Sequence, residues 1–299
     1  MSSDPRVASI AVKLLARATA TMKMAHNGFT AQSSEHVAPA SVGDSPPAVH
    51  LANISTRLAV GAGENVLIGG FIVTGSQPKK ILLRALGPLL PVNENLADPT
   101  LELHDSSGGI VAANDNWRDT QQNELIATTI PPNNDYESAI VASVNPGAYT
   151  AVLAGKGGTT GVGVVEVYDL DLTVDSKLAN ISTRGFVDQG DNVLIGGTIV
   201  VGSGSTNVLF RAIGPSLPGV ANALQDPTLE LHDSQGNIIA SNDNWQDSQA
   251  DAIQGTTIPP SDPREAAILR QLNPGAYTAI VRGKNNTTGV AVIEGYQLN

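Results

Sequence analysis

Residues 103–117 have the sequence "LHDSSGGIVAANDNW", and residues 231–245 repeat it as "LHDSQGNIIASNDNW". In each copy, apolar and polar residues alternate on both sides of a glycine-containing turn, which predicts a β-hairpin. A run of Asn and Asp residues and a tryptophan follow the hairpin. The phrase is either a ligand site presented twice or the folding signal of a module that occurs twice.

The remainder of the chain is duplicated in the same order. "LANISTR" begins at Leu51 and again at Leu178, "DPTLELHDS" begins at Asp98 and Asp226, and "NVLIGG" and "NPGAYTA" also occur twice. The offset is 127 residues for the first phrase and 128 for the second, so one residue has been inserted in the loop between them. A period this long indicates a duplicated domain rather than a solenoid repeat.

These repeats divide the 299 residues into an N-terminal segment (1–50), a first repeat (51–175) and a second repeat (176–299). Each repeat contains about eight short β-branched or leucine-rich runs that are bounded by Gly, Pro and Ser. Runs at this spacing are typical of a sandwich. We therefore predict an all-β protein of two tandem antiparallel β-sandwich domains with jelly-roll or Greek-key topology.

Few helices are expected. Residues 4–26 carry apolar residues at helical spacing and predict an N-terminal helix, and a Pro- and Ser-rich linker follows to residue 50. Basic residues interrupt the apolar stripe, so a signal peptide is not clear, and a docking or assembly helix is an alternative. Within each repeat a short helix is predicted, with Asp119 as N-cap and Gln122 completing a capping box, and with its counterpart starting at Asp247.

The charge of the chain restricts its partners. The net charge is −11, and the acidity lies in the repeats, which carry 6 Lys and Arg against 14 Asp and Glu in the first and 7 against 11 in the second. Nucleic acid is therefore not an expected partner. The chain has no cysteine, which excludes disulfides and thiolate metal sites. No run of about 18 apolar residues occurs, so no transmembrane segment is predicted.

The Asn/Asp run of the repeated phrase suggests a candidate metal site. Calcium prefers six to eight oxygen ligands in a pliable loop, and the run offers carboxylates and amides at short spacing. The same residues are also typical of turns, because Asn and Asp side chains bond their own backbone. No cofactor other than this candidate calcium is predicted. The candidate ligands are Asp105, Asn114, Asp115, Asn116 and Asp119 in the first repeat, and Asp233, Asn242, Asp243, Asn244 and Asp247 in the second.

The chain contains two tryptophans, Trp117 and Trp245, at equivalent positions. An exposed ring there could stack on a sugar or hold a partner, which makes both residues candidates for binding. A buried ring would instead close one end of the sandwich core. Both interpretations stay open at the level of the sequence.

Two further pairs of polar residues recur within strands. Arg84 and Arg211 interrupt apolar runs, and we expect each to pair with a loop acid such as Asp98 or Asp226.

Glu102 and His104 share one face of a strand, as do Glu230 and His232. Such a pair can ligate a metal or serve acid–base chemistry, although strand alternation favours a solvated face. Neither a nucleophile elbow, a zinc-protease motif nor a P-loop is present. We therefore predict that the protein is not an enzyme.

From the "DPTLELHDSSGGIVAANDNW" hairpin to the "PGAYT" turn and the closing tyrosine-bearing strand, about 70 residues of each copy resemble the pre-peptidase C-terminal type of β-sandwich. Such domains accompany secreted bacterial proteases and occur in surface proteins. The resemblance implies a non-catalytic accessory role, sometimes with calcium, which would fall on Asp105, Asp115 and Asp119. The "LANISTR" and "NVLIGG" half of each repeat lies outside the resemblance.

We accordingly expect a non-enzymatic extracellular or cell-surface protein that binds a polymer or a surface. The partner would be a polysaccharide or a protein surface polymer, and the duplication would provide avidity. The alternative is a structural subunit that self-assembles into a filament or lattice through its N-terminal segment and its sheet edges.

Overall fold

The computed structural model describes residues 49–63 and 66–298. The helix predicted for residues 4–26 and the linker that follows it lie outside the described residues.

Each repeat contributes eight strands and one short α-helix to the described part of the chain. In the first repeat these are β1 (His50–Val60), β2 (Leu67–Thr74), β3 (Lys79–Leu86), β4 (Pro99–Asp105), β5 (Ile110–Asn114), α1 (Gln122–Ala127), β6 (Ser138–Val144), β7 (Gly147–Gly155) and β8 (Gly161–Asp169). In the second they are β9 (Lys177–Val187), β10 (Leu194–Val201), β11 (Thr206–Ile213), β12 (Pro227–His232), β13 (Ile238–Asn242), α2 (Ala250–Gly255), β14 (Ala266–Leu272), β15 (Gly275–Gly283) and β16 (Gly289–Leu298). A 3₁₀ turn follows β7 at Lys156–Gly158 and β15 at Lys284–Asn286. The predicted all-β fold class is confirmed.

The burial of the strands follows their sequence pattern. In β4, Leu101 and Leu103 are fully buried, whereas the alternating residues Thr100 and Glu102 are partly exposed. This alternation is expected of a strand with one face on the core. In β8 the apolar run is buried at nearly every position, because Val165 and the other residues of its face meet the main core while Tyr168 packs in a second cluster on the opposite face.

All of the strand pairs between named elements are antiparallel, and each repeat supplies two four-stranded groups. The first repeat forms β5-β4-β7-β2 and β6-β3-β8-β1, and the second forms β13-β12-β15-β10 and β14-β11-β16-β9. The first strand of each repeat then pairs with the second strand of the other. β1 pairs with β10, and β9 pairs with β2, so the strands join into one sixteen-stranded sheet.

The two cross-repeat pairings are equivalent by the internal symmetry of the sequence. His50 to Arg57 pairs with Val201 back to Ile195, and Lys177 to Arg184 pairs with Thr74 back to Ile68, each with one bulge. Two contacts join a residue to its own counterpart, namely the Leu51–Leu178 bridge and the bond between the hydroxyls of Thr56 and Thr183, which are 2.7 Å apart. Such self-pairing marks a two-fold axis between the repeats.

The two repeats also share their core. One continuous cluster of buried apolar residues runs through both, from Leu51 on β1 to Ile293 on β16. The sequence predicts two tandem sandwiches divided at residue 175, and the chain does pass between β8 and β9 there. Strand pairing and core packing nevertheless cross this division, because β1 and β9 each complete a sheet of the other repeat. The repeats are therefore interlocked rather than separate bodies.

The predicted start of the short helices is wrong. α1 begins at Gln122 with Gln121 as N-cap, and α2 is preceded by Gln249, in both cases without a side-chain capping bond. Asp119 instead accepts a hydrogen bond from Asn116, and Asp247 accepts one from Asn244. The aspartates therefore stabilise the turn before the helix and not the helix itself.

Candidate functional site

The hairpin separates the residues that the calcium hypothesis places together. Asp105 lies in the β4–β5 turn, where its carboxylate accepts bonds from the backbone amides of Ser107 and Gly109. A further bond from the Ser107 hydroxyl helps to lower the pKa of Asp105. Asn114 lies at the other end of the hairpin, opposite Leu101. Four residues of strand, or roughly 13 Å, separate the two ends. Asp105 and Asn114 therefore cannot share one ion, and the same register holds for Asp233 and Asn242.

Two members of the Asn/Asp runs, Asn114 and Asn242, form hydrogen bonds that hold neighbouring segments of the fold together. Asn114 donates to the carbonyl of Asn116 and accepts from the backbone amide of Ala139 on β6. Its counterpart Asn242 donates to Asn244 and accepts from Ala267. These side-chain amides join the end of β5 to the start of β6 and the end of β13 to the start of β14, which is a folding role.

A lysine ammonium lies where an ion would be expected. Lys156 Nζ is 2.6 Å from Asp115 Oδ2 and 3.8 Å from Asp98 Oδ2, and the hydrogen bond with Asp115 raises the pKa of Lys156. In the second repeat Lys284 Nζ likewise lies 2.7 Å from Asp243 Oδ2 and 3.5 Å from Asp226 Oδ2. Among the described residues, no three His, Asp or Glu side chains are placed to hold a metal ion. Asp105 and Asp233 therefore lie apart from the other predicted ligands of their repeats, and calcium binding by the remaining residues stays a prediction.

Both tryptophans are buried, so neither is a stacking platform. Trp117 is 2% exposed and Trp245 7% exposed. Trp117 packs against Leu82 and Leu125, and its indole N–H donates to the carbonyl of Asn134. Trp245 makes the equivalent bond to the carbonyl of Asp262. The interpretation in which the ring closes the end of the core is therefore the one that the structure supports.

The strand arginines pair with strand acids and not with the expected loop acids. Arg84 binds the Glu166 carboxylate on the neighbouring β8 strand, the Tyr168 hydroxyl and the carbonyl of Ile130. Burial lowers the pKa of Arg84, but the combined effects of Glu166, Tyr168 and Glu137 outweigh burial, so the pKa of Arg84 is raised. Arg211 binds Glu294, Tyr296 and the Ile258 carbonyl in the second repeat, and burial raises the pKa of Tyr296 to about 12.

The Glu–His pairs have internal partners. His104 Nε2 lies 2.8 Å from Glu102, and its Nδ1 faces the carbonyl of Gly108. His232 makes the same two contacts with Glu230 and Gly236. Both ring nitrogens are thus engaged within the hairpin.

One open polar depression, of about 330 Å³, lies beside α1. It is lined by Arg118, Thr120, Gln121, Gln122, Asn123 and Glu124. The equivalent positions in the second repeat are Gln246, Ser248, Gln249, Ala250, Asp251 and Ala252, so the charged residues of the depression are not duplicated.

The sheet edges differ in how they are protected. The edge strand β6 is capped by side-chain amides, because Gln121 both donates to and accepts from the backbone of Val141 and Asn114 accepts from Ala139. In the second repeat Gln249 and Asn242 cap the edge strand β14 in the same way at Leu269 and Ala267.

The other two edges, β5 and β13, pair on one side with β4 and β12 and end the ten-strand path of the sheet. In the described structure they carry no such side-chain caps. They also expose apolar side chains, with Ile110 61%, Val111 47% and Ile238 47% exposed. An uncapped apolar edge is a template for pairing with another strand. Sequence reasoning missed these positions because alternation alone does not identify which strand ends a sheet.

Comparisons with known proteins do not assign the chain to a family. No family model matches it, and no characterised protein sequence matches it significantly. Among solved structures, a chain of the Sulfolobus turreted icosahedral virus is 9% identical, with a TM-score of 0.23 over 83% of this chain and 90% of the viral one. A DUF4785 family protein of Legionella pneumophila is 6% identical, with a TM-score of 0.24 over 86% and 84% of the two chains. Likenesses this weak support no functional argument, and the resemblance to pre-peptidase C-terminal domains stays a prediction from sequence motifs.

The described part of the chain contains two short α-helices and two 3₁₀ turns. None of the helices in this part of the chain has the length and apolar character needed to cross a membrane.

Proposed function

We propose that this chain is a non-enzymatic structural subunit that assembles with copies of itself through the edge strands β5 and β13. The observation that carries the proposal is the contrast between edges. Two edge strands are capped by Asn and Gln side chains, whereas the two that end the long sheet are bare and expose Ile110, Val111 and Ile238. Natural sheets normally protect apolar edges, so an uncapped apolar edge marks a place for strand addition.

The symmetry of the fold gives the subunit two such ends. β5 and β13 occupy equivalent positions in the two repeats and lie at opposite ends of the strand order. A subunit with two binding edges extends into a filament when each edge pairs with a neighbour. The outcome is an extended assembly whose contacts are backbone hydrogen bonds supported by exposed isoleucines.

The proposal keeps the extracellular or cell-surface location and the non-catalytic role expected from the sequence. Binding to a polysaccharide is less well supported, because the rings of Trp117 and Trp245 are buried. A protein strand is the partner that an open edge fits best. Aspartates flank both edge strands, so we expect assembly to increase with ionic strength as their repulsion is screened.

The test compares edge and control variants of the full chain. Ile110→Lys and Ile238→Lys each place a charge on one open edge, and the double variant charges both. Ile126→Lys is the matched control, since Ile126 is 49% exposed but lies on α1. Assembly is measured by sedimentation velocity and negative-stain microscopy over a range of concentrations.

We expect filaments from the unmodified chain and from the control, and monomers from the double variant. A single variant stops at dimers if like edges pair, and stays monomeric if β5 pairs with β13. Monomers of the unmodified chain at every concentration and salt level, or filaments from the double variant, would refute the proposal. A version lacking residues 1–48 shows whether the edges suffice without the N-terminal segment.

A further inference from the structure

Two of the phrases that are repeated without change form the contact between the halves of the chain. "LANISTR" lies in β1 and β9, and the "LIGG" of "NVLIGG" begins β2 and β10. Each strand that carries "LANISTR" pairs with the "LIGG" strand of the opposite repeat over seven residue pairs, six of which involve the phrase itself. These phrases lie outside the segment that resembles pre-peptidase C-terminal domains. They are therefore the part of each repeat that recognises another repeat.

The contact surface is complementary to itself. The same residues are used on both sides, and Thr56 and Thr183 meet at the two-fold axis with both side chains buried. The packing is also close. A Cβ on Gly185 of β9 would come within 1.8 Å of the Leu58 side chain of β1. An interface with these properties is the kind found in symmetric dimers of separate chains.

We propose that a second copy of this chain can take the place of one repeat, so that two chains exchange halves. The first repeat of each chain then pairs with the second repeat of the other. Every strand pair and core contact is kept, and only the connection between β8 and β9, residues 170–176, follows a new path. The surface involved is distinct from the edges β5 and β13, and the proposal does not depend on edge assembly.

The connection between repeats sets the balance between the closed monomer and the exchanged dimer. It is held to the first repeat by a bond from the Leu170 amide to the Lys80 carbonyl and by contacts of Asp175 with Ser76. A short connection gives the two halves an effective concentration in the millimolar range. The exchanged dimer therefore competes with the closed monomer when the chain folds at a concentration comparable to this effective concentration, as in refolding from denaturant. Once formed, the dimer persists, because its reversal requires the sheet to open.

The absence of cysteine allows a direct test. Thr56→Cys and Thr183→Cys variants are made separately in the Ile110→Lys/Ile238→Lys background, which removes edge assembly. They are mixed, unfolded and refolded together at high concentration, and then oxidised. In a closed monomer the two thiols lie in different molecules and stay apart, whereas exchange brings them together at the two-fold axis. We expect a disulfide-linked dimer from the mixture and none from either variant alone.

Two controls make the result decisive. Ser107→Cys mixed with Gln235→Cys, at equivalent exposed turns, gives the level of collisional cross-linking. The double variant Thr56→Cys/Thr183→Cys in one chain, refolded dilute, closes an internal disulfide and shows that the geometry permits the bond. A linked dimer no more abundant than the collisional control would overturn the proposal.

Light scattering provides a readout that needs no cysteine. The edge-blocked chain without cysteine, refolded at high concentration and then diluted, retains a species of twice the monomer mass if halves exchange. Monomer alone in that experiment would overturn the proposal even if the cysteine variants fail to fold.

Discussion

The two repeats place residue pairs of different chemistry at one equivalent position. In the first repeat Lys79 Nζ lies 2.9 Å from Asp169 Oδ2, with side chains only 1% and 0% exposed, and Lys79 also donates to the carbonyl of Asp171. At the equivalent position of the second repeat, Gln297 donates to the Thr206 hydroxyl at 3.2 Å. A buried ion pair in one half thus has a neutral counterpart in the other.

Replacing both residues of the ion pair by their counterparts from the second repeat should change the free energy of unfolding little. Replacing only one of the two residues should lower it substantially. At an effective dielectric constant of 20, charges 2.9 Å apart attract by about 6 kcal/mol. Removing both charges from water costs several kcal/mol per ion, so the net gain from the pair is near zero. Removing one partner leaves an uncompensated buried group. Lys79→Thr or Asp169→Gln alone should therefore lower the free energy of unfolding by about 3–5 kcal/mol.

The double variant Lys79→Thr/Asp169→Gln restores a satisfied pair and should lie within about 2 kcal/mol of the unmodified chain. The coupling between the two changes is then at least about 4 kcal/mol. Urea denaturation of the four proteins, followed by tryptophan fluorescence, measures it. Additive effects, in which the double variant loses the sum of the two single losses, would show that the pair is not a self-contained unit and refute the reasoning.

The close contact between Gly185 and Leu58 can be tested by substitution. Gly185→Ala should destabilise the chain, because the new methyl group collides with Leu58 across the repeats, and a second change, Leu58→Ala, should partly restore stability. Chemical denaturation of the two single variants and the double variant measures this rescue, and its absence would argue against the contact. Trp117→Ala should cost about 3–5 kcal/mol of unfolding free energy without changing assembly at the edges, and an unchanged denaturation midpoint would contradict its burial. Millimolar calcium or a chelator should leave the melting temperature unchanged, because Lys156 pairs with Asp115 where an ion would bind. A melting temperature that depends on calcium would instead support the Asn/Asp run as calcium ligands.

The strands could be predicted from the sequence because their signals are local. Leu101 and Leu103 alternate with polar neighbours, and Gly and Pro mark the turns on either side. The duplicated phrases also gave the equivalence of the halves. Which strands pair with each other cannot be predicted from the local sequence. The apolar pattern of "LANISTR" predicts a strand, but nothing in it states that β10, about 140 residues away, is its partner.

The predictions for Asp119 and Arg84 were wrong for related reasons. Asp119 has the spacing of a helix cap, but the helix begins later because Gln121 is engaged by the edge of β6. Arg84 pairs with Glu166 because β3 and β8 are neighbours, which the sequence does not reveal. The turn role of the Asn/Asp run could be anticipated from the chemistry of those residues, whereas the position of Lys156 beside Asp115 depends on a loop some 40 residues further along the chain.

The interlocking of the repeats affects how the protein is made. The Thr198 hydroxyl that bonds the Asn53 carbonyl is 145 residues further along the chain. At about 5–20 residues per second, a ribosome delivers β10 roughly 7–30 s after β1. During that interval β1 lacks at least one of its two partner strands, β8 and β10, and the apolar strands of the first repeat can reach neighbouring nascent chains. Contacts this distant in sequence also slow folding. High yields of soluble protein should therefore depend on a low concentration of nascent chains or on a chaperone that covers β1 until its partner strand arrives.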